Sequence, residues 1–254
     1  MITLGAKRHK RIGLGSNRLT DTPENRAFLA AAVEAGVDFI DTAHLYTSGE
    51  SERTIGAALA PFPAGLTVAS KGAYARGTGP EDLRADLDES LERLRTDRIE
   101  LYYVHRIHRD NSVESMVSVL AEARDAGKIE HAGISEVSIE EIELARAVMP
   151  IAAVQNEYNL GERKHDEVIE FCAEHEIVFV PFFPLRGGDR REIAEIAAAH
   201  RATPNQIRLA WLLRRSPVML PIPGTSKVAH LEENTAAAEL RLPDEDLAAL
   251  DAAA

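Results

Sequence analysis

Along this chain a short β-rich run gives way to a helical pattern, then another β-rich run, and the alternation persists to the C-terminus. The runs are RIGLGS (11–16), DFIDTA (38–43), LTVASK (66–71) and IELYYVH (99–105). EHAGIS (130–135), IAAVQNEY (151–158), IVFVPFF (177–183) and VMLPIPGT (218–225) follow. Several lack polar alternation, as expected of parallel strands covered on both faces. Parallel neighbours need crossover connections, and the intervening amphipathic segments supply them. In TPENRAFLAAAVEAG, Thr22 is placed to cap a helix, Pro23 to start it and Gly36 to stop it. Two helical segments precede the last run, the second opening on Thr203-Pro204 and carrying Trp211 in its apolar stripe, where it reads as core. Eight such units in 254 residues predict one (β/α)8 TIM barrel over residues 1–254. The competing fold, a doubly wound sheet, lacks its dinucleotide fingerprint: GLGSNR begins G-x-G but has Arg18 at the third glycine position.

Acidic residues outnumber basic ones by 41 to 29, for a net charge of −12, which repels nucleic-acid backbones and anionic membranes. Cys172 is the only cysteine and falls on the apolar side of a helical pattern, so a packed, inert thiol is expected. The N-terminal stretch MITLGAKRHKRIGLG has no apolar signal region, and no apolar run approaches 18 residues. A cytoplasmic enzyme is the expectation.

Barrel chemistry gathers where strands end, because the βα loops converge there. Read in order, those ends present Asp41 with Tyr46 just beyond, then Lys71, His105, Ser135, Gln155 with Asn156, and Phe182 with Phe183; the last run leads into Gly224-Thr225-Ser226-Lys227. Lys71 directly follows an apolar run and needs a counter-ion, which Asp41 can provide. Alone, that pair reads as a structural salt bridge. With Tyr46 and His105 beside it, the four form a proton-transfer site, in which an ammonium is expected to draw the phenol's pKa toward working pH.

DFIDTAHLY, VASKG and LYYVHR resemble the Asp–Tyr–Lys–His tetrad of the aldo-keto reductase superfamily, and GKIEHAGISE, VQNEYNL and LPIPGTSKVAHLEEN extend the likeness. The resemblance implies reduction of a carbonyl by NAD(P)H: Tyr46 as general acid, Lys71 and Asp41 tuning it, His105 positioning the carbonyl. It further implies a cofactor site of Gly15, Ser16, Ser135, Gln155, Phe182, Leu185, Thr225, Ser226, Lys227, His230, Glu233 and Asn234. In that set Ser135 and Gln155 hold the nicotinamide carboxamide and Phe182 stacks on the ring, while 225–234 binds the adenosine end. Lys227 and His230 favour NADPH over NADH. Where the family usually has an asparagine after the serine, this chain has Glu136, which accepts but cannot donate. Asn17, His44 and Tyr74 are candidates for the substrate rim. VPFFPL and PGTSKVAHLEEN resemble a subgroup that includes pyridoxal reductases, which implies an aromatic aldehyde such as pyridoxal.

Two other readings compete. A cofactor-binding regulatory subunit would bind NADPH without turnover, although every tetrad position is kept. A metal-dependent hydrolase could use His105 and His108, but Arg106 and Arg109 beside them repel a cation. No metal, nucleic acid or membrane partner is expected, and the sequence leaves the oligomeric state open.

Overall fold

The computed structural model describes residues 1–187 and 191–252. It begins with an antiparallel hairpin the sequence did not announce: β1 (Ile2–Leu4) pairs with β2 (Lys7–His9) around Gly5 at φ +57°. Seven parallel strands then hydrogen-bond in chain order: β3 (Leu14–Gly15), β4 (Phe39–Asp41), β5 (Thr67–Gly72), β6 (Ile99–Val104), β7 (Ile129–Ser135), β8 (Ile151–Gln155) and β9 (Val178–Phe179). The result is a curled α/β half-barrel with helices outside it. The first, second, sixth and seventh runs form strands shorter by three residues or more than the sequence suggests.

The eighth run is not a regular strand. Residues 218–224 meet β9 and β3 only through single bridges, Phe179 with Met219 and Gly15 with Gly224. Leu220 N donates to Phe179 O (2.9 Å), while Gly13 N and Gly15 N donate to Pro221 O and Pro223 O at 3.0 and 3.2 Å. Pro221 and Pro223 lack the N–H that a ladder would require in return, so the seam accepts bonds it cannot repay. Close approach there also explains Gly15, since a Cβ on it would stand 2.6 Å from the Ile222 carbonyl oxygen.

The helices are α1 (Pro23–Glu34), α2 (Glu50–Leu59), α3 (Pro80–Leu94), α4 (Val113–Asp125) and α5 (Ile139–Val148), followed by α6 (Asp166–Glu174), α7 (Arg191–His200), α8 (Pro204–Arg215), α9 (Val228–Ala236) and α10 (Asp244–Ala252). Capping follows local chemistry: Thr22 accepts from Asn25 N, and Thr203 with Gln206 forms a reciprocal box at α8. α2, absent from the sequence reading, starts after three left-handed residues, Thr47, Ser48 and Gly49.

Two apolar clusters result. The larger lies between sheet and helices; the smaller fills the barrel, where Ile2 and Leu4 of the hairpin meet Phe39, Leu101, Val178 and Leu220. His9 packs edge-on against Phe39, so the hairpin closes the end where strands begin and leaves the opposite end for chemistry. Trp211 is core, stacked on Tyr158 (centroids 5.8 Å) with Nε1 donating to Asp251 (2.9 Å). Cys172 is buried, and burial pushes its thiol up to about 12. Among the described residues no helix is long and apolar enough to cross a membrane.

Candidate active site

At the strands' C-terminal end lies a cleft of about 680 Å³. Lys71, at the end of β5, is wholly buried, and its Nζ donates to Asp41 Oδ1 (2.6 Å), Thr42 O (2.7 Å) and Tyr46 OH (3.2 Å). The second oxygen of Asp41 accepts from Gln155 Nε2 at 2.8 Å. Register explains these contacts: Gly15 pairs with Asp41, and Asp41 with Ala69, so the carboxylate and the ammonium rise from neighbouring strands into one layer. Tyr46 arrives on a loop sewn down by His44 N to Lys71 O (2.9 Å) and Arg93 Nη1 to His44 O (3.1 Å). His105, fixed by its N–H to Gly72 O at 2.8 Å, stands edge-on to the Tyr46 ring with centroids 5.9 Å apart.

The electrostatics keep this cluster ready to give a proton. Burial pulls Lys71 down, but Asp41 and Tyr46 outweigh it and the ammonium is held above its ordinary value. Burial raises the Asp41 carboxyl, with Lys71 and Gln155 opposing. For Tyr46 burial also outweighs Lys71, so the phenol lies above its ordinary 10.0 rather than below it. This corrects the expectation that the ammonium draws the phenol toward working pH: a desolvated phenol stays protonated, as a donor must. His105 is pushed well below 6.5 by burial and by the charges of Lys71 and Arg106, so its imidazole is neutral. Its buried Nδ1 has no hydrogen-bond partner among the described residues.

Strain gathers around the same cleft. Eight non-glycine residues have positive φ among those described, and five of them — Thr47, Ser48, Ala73, Glu136 and Phe183 — follow β4, β5, β7 or β9 in the loops at this end. Left-handed backbone costs such residues about 1 kcal/mol or more each, and functional loops are where that cost is commonly retained.

Of the residues expected in the site, Asp41, Tyr46 and His105 line the cleft, as do Asn17, Tyr74, Gly15 and Ser16. So do Ser135, Gln155, Phe182, Leu185, Thr225, Ser226, Lys227 and His230. Lys71 stands behind Tyr46. Three expected residues lie elsewhere. His44 is turned toward α3, between Asp86 (3.4 Å) and Glu89 (3.0 Å), so it is not at the rim. Glu233 accepts from the hydroxyl of Thr203 (2.6 Å) at the start of α8, and Asn234 is buried; neither lines the cleft. Glu136 also faces away, accepting from Glu157 N at 2.6 Å, with Lys164 3.7 Å off.

The sequence reading gave no role in the site to Arg106, Arg18, Arg186, Leu45 or Phe183, all of which line the cleft. Arg106 had one available signal, its position directly after His105 at a strand end. Among the described lining residues, Arg18, Arg106, Arg186 and Lys227 stand against one carboxylate, Asp41, which is already paired. A basic cleft in a chain of net charge −12 suits an anionic ligand. At its outer end α9 has Lys227 as N-cap with no side-chain bond to the first turn, leaving N–H groups there for phosphate. Among the described residues no three His, Cys, Asp or Glu side chains converge to hold a metal, and His108 Nε2 lies 2.9 Å from Tyr74 O.

The family model that matches this chain is that of the aldo/keto reductase family, over residues 11–192 and 188–254. The chain is 36% identical to pyridoxine 4-dehydrogenase of Escherichia coli (strain K12), over 98% of this chain and 96% of that protein. It resembles the crystal structure of a thermostable aldo-keto reductase in complex with the inhibitor epalrestat (TM-score 0.90, 30% identity, 99% and 98% of the two chains). It also resembles an aldo/keto reductase from Klebsiella pneumoniae in complex with NADP and acetate (TM-score 0.87, 26% identity, 99% and 94%).

Proposed function

Because this chain belongs to the aldo/keto reductase family and is an NAD(P)H-dependent oxidoreductase, we propose that it reduces an aldehyde or ketone to the alcohol, with NADPH as cofactor and Tyr46 as proton donor. The observation that carries this reading is the buried chain Asp41–Lys71–Tyr46, its links 2.6 and 3.2 Å, ending with the phenol in an open cleft beside His105. We read the barrel as eightfold and single-domain, its eighth stave being the proline-bearing segment 218–224.

The residues present fit NADPH. Ser135 Oγ accepts from Arg106 (3.0 Å), so its own proton is free for a carboxamide oxygen. Gln155 turns its amide nitrogen to Asp41, which leaves its oxygen to accept from a carboxamide NH2. That pairing performs the clamp without Glu136. Phe182 offers a ring face, and Thr225, Ser226, Lys227 and His230 would hold the phosphates of the adenosine end, including a 2′-phosphate. Bound there, NADPH supplies a hydride to the carbonyl carbon. Tyr46 OH gives its proton to the carbonyl oxygen, and Lys71, already hydrogen-bonded to that phenol, stabilises the phenolate left behind. Asp41 keeps Lys71 charged. His105, neutral, orients the carbonyl by donating its one ring N–H to the carbonyl oxygen. Tyr74, Phe182 and Phe183 give the cleft an aromatic lining, which, with the likeness to pyridoxine 4-dehydrogenase, favours an aromatic aldehyde such as pyridoxal.

The test is NADPH oxidation, followed by absorbance, with a panel of aldehydes including pyridoxal, on the wild type and on Tyr46→Phe. The expected result is a loss of roughly 10²-fold or more in kcat, with NADPH still quenching protein fluorescence. Equal turnover in both proteins would remove Tyr46 from the reaction, and tight NADPH binding without any turnover would point to a regulatory subunit.

A further inference from the structure

We propose that Arg106 anchors an oxyanion on the substrate, so that this enzyme selects carbonyl compounds carrying a carboxylate or comparable anionic oxygen. The proposal rests on the reductase reading above and names the substrate class of that same cleft.

Arg106 is held in place from two sides. Its backbone N–H donates to Ala73 O at 3.2 Å, and its Nη1 donates to His105 O (2.7 Å) and Ser135 Oγ (3.0 Å). Its guanidinium carbon lies 5.6 Å from the ring centroids of both Tyr74 and Phe182, within cation–π range of each. Arginine has five N–H donors, and here only those on Nη1 have partners among the described residues, both of them neutral oxygens.

The missing partner is a carboxylate. Arg93, Arg163 and Arg215, three other half-buried arginines of this chain, each pair with an acid, whereas Arg11 is closed by the backbone carbonyls of Leu213 and Ser216. Arg106 is half-buried too, in a chain with 41 acidic residues, yet no carboxylate of the described residues lies in ion-pair range. It is also close enough to the proton donor for its charge to draw down both Tyr46 and His105. A half-buried, immobilised guanidinium without a carboxylate partner, beside the candidate proton donor, is suited to bidentate recognition of an oxyanion.

A purely structural role is the competing account: a strut from the loop after β6 to Ser135. The two accounts separate on a ratio. The measurement is kcat/KM with NADPH for 2-, 3- and 4-carboxybenzaldehyde, each against the uncharged carboxamide of the same shape, on the wild type, Arg106→Gln and Arg106→Lys. The wild type is expected to favour at least one acid over its amide by tenfold or more. Arg106→Gln should erase that preference, through KM rather than kcat. Arg106→Lys, which keeps a cation but not the guanidinium fork, should retain part of it, and it reads the question even if Arg106→Gln fails to fold. A wild type with no preference for any acid, or an acid-to-amide ratio that is the same in the wild type and Arg106→Gln, overturns the proposal while leaving the reductase intact. No turnover of any substrate by the wild type sinks the reductase reading and this inference with it.

Discussion

Lys71→Met removes three hydrogen bonds from one buried nitrogen: those to Asp41 at 2.6 Å, Thr42 O at 2.7 Å and Tyr46 at 3.2 Å. Methionine fills a similar volume, so little cavity is left. The larger effect falls on Asp41, which is 1% exposed and retains only the bond from Gln155. Removing one partner of a buried ion pair costs about 3–5 kcal/mol, because the other charge is left uncompensated. For a chain of this size each kcal/mol lowers Tm by about 2–4 °C, so a fall on the order of 10 °C is expected. Asp41→Asn alone should also destabilise, by stranding Lys71. The double variant Lys71→Met/Asp41→Asn removes both charges and leaves the Thr42 carbonyl and the Tyr46 hydroxyl without their donor, at about 1 kcal/mol each. Its loss should therefore be smaller than the sum of the single losses by about 2 kcal/mol or more. Urea unfolding followed by circular dichroism measures all three, with an unchanged m-value as the check that the denatured state is comparable. Strictly additive losses would refute the reasoning, since the pair would then contribute nothing through its charges. All three variants should lack reductase turnover, which separates the stability of the site from its chemistry.

Acid sensitivity should also trace to particular histidines. His9 is fully buried by the N-terminal hairpin, and burial holds its pKa below 6.5 despite nearby Asp38. A depressed histidine contributes stability that is present above its unfolded value near 6.5 and is lost as pH falls through the folded value. Thermal melts from pH 7 to pH 5 should therefore fall less steeply in His9→Gln than in the wild type; parallel slopes would discount His9. Gly133→Ala should cost about 1–3 kcal/mol by overpacking, because a Cβ there would lie 2.3 Å from the Tyr103 ring. A urea midpoint unchanged from wild type would mean that the ring can move aside.

Much of the site was legible because barrel chemistry falls where strands end, and strand ends can be read from local patterns. Asp41, Lys71 and His105 stand at the ends of adjacent parallel strands, which brings them to one end of the sheet, and the loop after β4 carries Tyr46 back to Lys71. His44 was misplaced for a related reason: its neighbours in sequence are site residues, but the loop turns its ring toward two acids on α3, contacts about 45 residues away that no local pattern records. Glu233 likewise reads as part of the cofactor segment until Thr203 of a distant helix start claims it. The direction of the Tyr46 shift was missed because it depends on how much water is excluded, a property of the assembled fold.

The sequence by itself determined the alternation of elements, the caps that start α1 and α8, and the order of polar residues at the strand ends. These depend on side-chain periodicity and short-range hydrogen bonding, which extend only a few residues. Only the tertiary structure decided that 218–224 closes the seam through isolated bridges, and that the N-terminal hairpin stoppers the barrel. It alone left Arg106 without a carboxylate beside Tyr74 and Phe182. Those outcomes depend on which distant groups meet and how far water is excluded from between them, and neither is encoded within reach of any single stretch of chain.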